Sequence, residues 1–276
     1  MKSMIRKIHA SLVRATRRSN ALRKDFPDYA CVGFPKCATT FILKRFGEHS
    51  LDTLVDGEFK MKEFDDHRSR IRELHAEGQR VAIKNPSIIY SRKHMDMLCR
   101  ANTRIIVSVR NPVRWLKSFY NYRLKRIDQG KESLPKEFDA IPEFREIVDD
   151  RVSFMGVSMD RGLMGGIINE NLLKSAYFDP CRVHFVIQEE FEASHDKVLD
   201  ELLDFLEIPD SGRVARDYKF EYSKPQRWTF FNDDDYDQQL YHYYADDMRL
   251  LCGLVRKHTG KDLKGIWEKF YSINLD

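Results

Sequence analysis

The chain has 276 residues, 42% apolar and 12% aromatic, enough to fill the core of one large α/β domain or two small ones and too apolar for a disordered protein. Its formal charge is +4, but residues 1–24 carry eight Lys or Arg and no acid, so the other 252 residues hold 39 basic and 43 acidic side chains and sum to about −4. Such a body is a poor match to nucleic-acid binding, and any anion it binds must meet a local concentration of cations. The five cysteines, at 31, 37, 99, 181 and 252, include no C-x-x-C pair, which indicates neither a zinc site nor a disulfide framework and fits a reducing compartment. No uncharged run exceeds about eight residues, against the roughly 20 needed to span a bilayer.

Residues 1–24 set Ile5, Ile8, Leu12 and Val13 on one face with Lys2, Arg6, Lys7, Arg14, Arg17 and Arg18 around them, the pattern of a basic amphipathic helix. Three readings stand: a surface helix packed on the domain, an organelle transit peptide, or a membrane-surface anchor. A secretory signal is excluded by the lack of a continuous apolar run. The remainder, 25–276, shows no internal repeat and no Pro/Gly/Ser linker, and reads as a single domain.

Tyr29 to Phe34 form a short apolar strand broken by Gly33 and Pro35, and Thr39-Thr40 open a helix. A strand, a tight turn and a helix N-terminus make a phosphate cradle, to which Lys36 adds a full positive charge. The turn does not fit the nucleotide triphosphate loop G-x-x-x-x-G-K-[ST], because its lysine precedes the turn residues and no Gly-Lys pair follows. Residues 54–64 read as a loop or short strand near the site. Residues 65–79 read as a charged, solvent-facing helix whose His67 and His75 are surface residues without metal-ligand spacing.

Val81-Ala82-Ile83 is a second strand delivering Lys84-Asn85-Pro86 at its carboxyl end, where ligands bind in open α/β sheets. A third, Arg104 to Val109, ends in Arg110-Asn111-Pro112, and Pro112 suits the first turn of a helix running to Arg126. Ser118 lies on that helix eight residues after Arg110, with Arg114, Lys117, Arg123, Lys125 and Arg126 as a local concentration of positive charge. Residues 128–152 read as a mobile excursion and 162–178 as a helix. Arg182 to Gln188 read as a fourth strand, and Asp196 to Leu206 as a helix stopped by Pro209. A loop over 211–235 holds Lys224-Pro225-Gln226-Arg227, and aromatic-rich helices follow from Tyr236 to Trp267. Strands alternating with helices predict an α/β fold, a parallel sheet with helices on both faces.

Gly33-Phe34-Pro35-Lys36-Cys37-Ala38-Thr39-Thr40 resembles the 5′-phosphosulfate loop of sulfotransferases, G-x-P-K-x-[GA]-T-T. Arg110-Asn111-Pro112 with Ser118 is similar to that family's 3′-phosphate signature, and Gln188-Glu189-Glu190-Phe191 with Phe205-Leu206-Glu207-Ile208-Pro209 to its strand-E-x-L…FLxIP stretch. The likeness spans residues 29 to about 270. It implies a P-loop-like sulfotransferase fold, 3′-phosphoadenosine 5′-phosphosulfate (PAPS) as donor, 3′,5′-diphosphoadenosine (PAP) as product, and no metal. It implies further that Lys36, Cys37, Ala38, Thr39 and Thr40 hold the phosphosulfate, that Arg110 and Ser118 grip the 3′-phosphate, and that Lys224 and Arg227 close over it. Lys36 and Lys84 would stabilise the leaving group.

The K-T-H pattern of the cytosolic enzymes, with its catalytic histidine, is absent. Lys84-Asn85-Pro86-Ser87-Ile88-Ile89-Tyr90 is instead similar to the K-T-P-x-Y of heparan sulfate N- and 3-O-sulfotransferases, whose base is a glutamate in E-[IV]-x-F-F. Glu58 is the nearest match and Glu63 its rival, with Met61 and Lys62 in place of the two phenylalanines. The partners implied are PAPS and an acceptor hydroxyl or amine, of a carbohydrate or a small metabolite, in the cytoplasm or a soluble organellar space. The competing functions are a nucleotide-dependent kinase and a catalytically silent anion- or glycan-binding protein.

Overall fold

Short apolar runs become strands because helices cover the sheet on both faces, so that consecutive residues are buried. In the computed structural model, which describes residues 25–40, 42, 52–54, 64–149, 152–156, 164–208, 234–271, 273 and 275, five strands form one sheet. They are β1 (Tyr29–Gly33), β2 (Asp52–Leu54), β3 (Arg80–Lys84), β4 (Arg104–Val109) and β5 (Val183–Ile187). The order is β2-β3-β1-β4-β5 and every pair is parallel. β1 pairs with β3 through Cys31↔Lys84 and with β4 through Gly33↔Val107. From β1 the chain goes to β2 and β3 on one side of it, and then crosses to β4 and β5 on the other, so the crevice outside the carboxyl ends of β1 and β4 is the switch point where open α/β sheets bind ligands.

The helices are α1 (Phe64–Ala76), α2 (Arg92–Arg100), α3 (Pro112–Asp128), α4 (Phe144–Asp149), α5 (Met164–Ile168), α6 (Gln188–Ala193), α7 (His195–Leu206), α8 (Asp234–Tyr243), α9 (Ala245–Thr259) and α10 (Leu263–Tyr271). The two-residue period of a strand splits β1 between two cores. Ala30 and Val32 join the larger one with Phe34, Trp115 and Phe185, whereas Tyr29 and Cys31 face the smaller one, closed by Val198, Leu199, Leu202, Leu203 and Leu206 of α7.

Four expectations change. Residues 128–152 are not a loose excursion: they include α4, whose Phe144 and Ile147 are buried, and the Tyr120 hydroxyl donates to the Pro142 carbonyl at 2.8 Å. The helix expected over 162–178 is α5 continued by a π-helical turn at Asn169–Leu173. α7 stops at Leu206 because Glu207 adopts a left-handed conformation (φ 55°), ahead of Pro209, which lies outside the described residues. His75 is no plain surface residue, since its Nε2 lies 3.0 Å from Asp28 Oδ2, which also accepts the Val81 N–H at 2.8 Å. That pair ties α1 to the start of β1 and β3. The basic segment 1–24, Glu58, Glu63, Lys224 and Arg227 lie outside the described residues. Among those described, no helix is long and apolar enough to cross a membrane.

Candidate active site

The loop after β1 is shaped by two residues in the left-handed region, Lys36 (φ 67°) and Ala38 (φ 59°). Each costs a residue with a β-carbon about 1–2 kcal/mol, so the surroundings must impose the shape. They do so from several sides. The Phe34 N–H donates to the Ser108 carbonyl of β4 at 2.8 Å, and the Trp115 indole N–H of α3 donates to the Pro35 carbonyl at 2.7 Å. The Phe34 and Cys37 side chains are fully buried. Gly33 lets Ile89 pack closely, since a Cβ there would sit 3.3 Å from it, tighter than ordinary contact. A helix begins at Thr39, and the Ile42 N–H donates to the Ala38 carbonyl at 3.1 Å. A left-handed turn opening directly onto a helix N-terminus is a backbone concavity suited to an anion.

Three cations stand at the carboxyl ends of the three adjacent strands β3, β1 and β4. Lys84, the last residue of β3, donates from Nζ to Thr40 Oγ1 at 2.8 Å, which ties it to the first turn of the loop's helix. Lys36, three residues after β1, holds its Nζ 4.8 Å over the Tyr122 ring. Burial first, then the like charges of Arg110 and Lys125, lower the pKa of Lys36, which places these three cations within electrostatic reach of one another. Arg110, directly after β4, has a buried Nε with no hydrogen-bond partner. Half-buried Ser118 is followed at helical spacing by Tyr122 and Lys125, so all three share one face of α3.

The positive charge expected on α3 is mostly neutralised. Buried Lys117 is paired with Asp237 of α8, Arg114 reaches the same carboxylate at 3.4 Å, and Arg123 contacts Glu132 at 2.9 Å, as does Arg126. Lys125 alone of the five has no ion pair among the described residues. The free charge is therefore focused on Lys36, Lys125 and Arg110 and is not spread along the helix. The like charges of Arg110 and Lys125 disfavour the charged form of Lys36, and a polyanion bound there would relieve that repulsion.

Behind Arg110 lies a buried polar layer. Asn111 caps α3, its Oδ1 accepting the N–H groups of Val113 at 3.1 Å and Arg114 at 3.2 Å, with Pro112 at the first helical position. Glu189 Oε1 accepts the Asn111 N–H at 2.9 Å and the Tyr271 hydroxyl at 2.7 Å. Burial raises the pKa of Glu189, opposed by those two hydrogen bonds and by Arg110.

The structure thus brings together the loop Lys36 to Thr40, Lys84 and Arg110, and sets Ser118 on the face of α3 that carries Tyr122, while the Cys37 thiol is buried. Sequence reasoning missed Trp115, Tyr122 and Tyr271 as parts of the site. The helical spacing from Ser118 could have flagged Tyr122, but no local signal joins Tyr271 to a glutamate 82 residues earlier. Among the described residues no group of three or more His, Cys, Asp or Glu could hold a metal ion.

The family model described as the sulfotransferase domain matches residues 26–246. Among solved structures, a sulfotransferase from Alicyclobacillus acidocaldarius is 16% identical with a TM-score of 0.60, over 87% of this chain and 98% of its own. Mouse sulfotransferase SULT7A1 complexed with PAP is 19% identical with a TM-score of 0.45, over 66% of this chain and 60% of its own. The sulfotransferase domain from the curacin biosynthetic pathway is 13% identical with a TM-score of 0.39, over 67% and 75%. No curated protein matches significantly.

Proposed function

The chain belongs to the sulfotransferase family and is a sulfotransferase enzyme, and we propose that it moves the sulfuryl group of PAPS to a hydroxyl or amine of a carbohydrate, releasing PAP. The observation that carries the donor assignment is the placement of Lys84, Lys36 and Arg110 at the ends of three adjacent strands around a left-handed loop. A donor with a phosphosulfate at one end and a 3′-phosphate at the other matches two separate cationic positions, whereas AMP fills only one.

In this scheme the backbone from Lys36 to Thr40 receives the phosphosulfate. The acceptor oxygen or nitrogen attacks sulfur in line, a new bond to sulfur forms, and the bond from sulfur to the bridging oxygen breaks. The electron pair leaves on PAP. Lys36 and Lys84 meet the charge that grows on the bridging oxygen, a stabilisation commonly worth about 3–4 kcal/mol. Arg110, with a planar fork of donors, and Ser118, with its hydroxyl, take the 3′-phosphate, and Lys224 and Arg227 close over it. These cations do the work that a metal would do, so the scheme calls for none.

The attacking group must lose a proton, and Glu58 takes it. Pro86 stands where the cytosolic enzymes have their histidine, which favours a carboxylate base of the heparan sulfate N- and 3-O-sulfotransferase type. The topology supports this reading. β2 runs parallel to β3 and ends at Leu54, four residues before Glu58, on the side of the sheet where Lys84 ends β3.

Donor selectivity tests the proposal. PAP should raise the melting temperature more than AMP or ATP at equal concentration, because tighter binding to the folded state stabilises it more. Arg110→Ala should erase most of that difference. Equal shifts from the three nucleotides would overturn the assignment of the donor.

A further inference from the structure

Arg110 is held by residues that its own strand and helix do not supply. Glu189 lies in the first turn of α6, just after β5, and Tyr271 ends α10, yet both meet the end of β4. Glu189 fixes the backbone there by accepting the Asn111 N–H at 2.9 Å with Oε1, and the same oxygen accepts a hydrogen bond from the Tyr271 hydroxyl at 2.7 Å. With its proton committed, the Tyr271 oxygen has only lone pairs to turn toward the Arg110 guanidinium. The ring is held as well: Arg114, one turn after Arg110 on α3, stands over it at 5.1 Å and is itself anchored to Asp237 of α8 at 3.4 Å.

The pairing is not that of a structural salt bridge. A carboxylate and a guanidinium paired for stability frequently meet fork to fork. Here, among the described residues, no hydrogen bond joins Arg110 directly to Glu189, and two buried polar atoms, Arg110 Nε and Glu189 Oε2, have no partner. Buried polar atoms are rarely left so, because each costs its desolvation without return. The arrangement keeps the guanidinium charged and oriented by Tyr271 while leaving its Nε donor unspent. Burial disfavours that charge, and the Tyr271 phenol and Glu189 together more than offset the effect.

We propose that Tyr271 and Glu189 are positioning residues which hold the Arg110 guanidinium in the orientation that reads the donor's 3′-phosphate, so that donor selectivity is set in part from α10. The inference rests on the proposed function, since it needs a ligand whose 3′-phosphate meets Arg110. Tyr271→Phe removes one hydroxyl and keeps the ring beneath Arg114, so the fold is retained.

The experiment is calorimetric titration of wild type and Tyr271→Phe with PAP and with AMP, alongside steady-state kinetics at varied PAPS. PAP affinity should fall on the order of tenfold, the loss set by one hydrogen bond to a charged group, with AMP affinity within about twofold of wild type. The KM for PAPS should rise in step while kcat at saturating donor is kept. A structural role alone would lower both affinities together, leave their ratio as in wild type, and overturn the inference. Wild-type enzyme that itself fails to prefer PAP over AMP would overturn the donor assignment and this inference with it. If wild type discriminates and Tyr271→Phe discriminates equally, only the inference falls.

Discussion

His184 sits in β5 with its ring stacked on Phe205 at 5.1 Å and its Nε2 without a hydrogen-bond partner. Burial, and after it the Lys261 ammonium, push its pKa down to about 4, with Glu201 working the other way. Lys261 keeps its charge, since it contacts Glu190 at 2.8 Å and Glu201 at 2.7 Å. In the unfolded chain the imidazole titrates near 6.5, so between pH 6.5 and 4 the unfolded state binds a proton that the folded state refuses. Stability therefore falls as the pH drops through that window. That difference is worth about 3 kcal/mol, a sizeable part of a domain's usual 5–15 kcal/mol. His184→Phe keeps a ring against Phe205 and cannot titrate. Urea unfolding at pH 7 and pH 4.5 should show wild type losing about 2–3 kcal/mol more than the variant over that interval, because the effects of other titrating groups are common to both. Equal losses in the two proteins would refute the reasoning.

On the proposed roles, Lys36→Ala and Lys84→Ala should act mainly on kcat, lowering it by about 10²–10³ with a smaller loss of donor affinity, whereas Ser118→Ala should act mainly on the KM for the donor. Initial rates at varied PAPS separate the two, and wild-type kcat in both lysine variants would remove their catalytic role. Glu58→Gln should cut turnover by about 10² or more with PAP binding kept, and Glu63→Gln should be nearly silent; the reverse pattern would move the base five residues along the chain. Asp237→Ala removes the carboxylate facing Lys117, whose side chain is 3% exposed, and should cost about 3–5 kcal/mol, lowering the melting temperature by about 6–20 °C. Lys117→Met should cost less, because Asp237 keeps Arg114. Equal losses in the two variants, measured by calorimetry, would contradict that asymmetry.

The sequence by itself determined the features that a few neighbouring residues control. Strands buried on both faces must be continuous apolar runs, so β1, β3, β4 and β5 were legible to within a residue or two. Pro112 and Asn111 announce the start of α3, and the eight-residue spacing from Arg110 to Ser118 follows from helix geometry alone. Only the tertiary structure decided which charges are free. Asp237 lies 120 residues from Lys117, and Tyr271 lies 82 from Glu189, separations at which no periodicity carries information. It also decided where chain direction changes: Lys36 and Ala38 are left-handed, and Glu207 ends α7, because packing and hydrogen bonds outweigh a penalty that composition cannot reveal. The physical reason is the order β2-β3-β1-β4-β5, which gathers the carboxyl ends of strands far apart in the chain into one crevice. There Lys84, Lys36 and Arg110 become neighbours, and the carboxylates of Asp237 and Glu132 select, among the cations of α3, which remain available to a ligand.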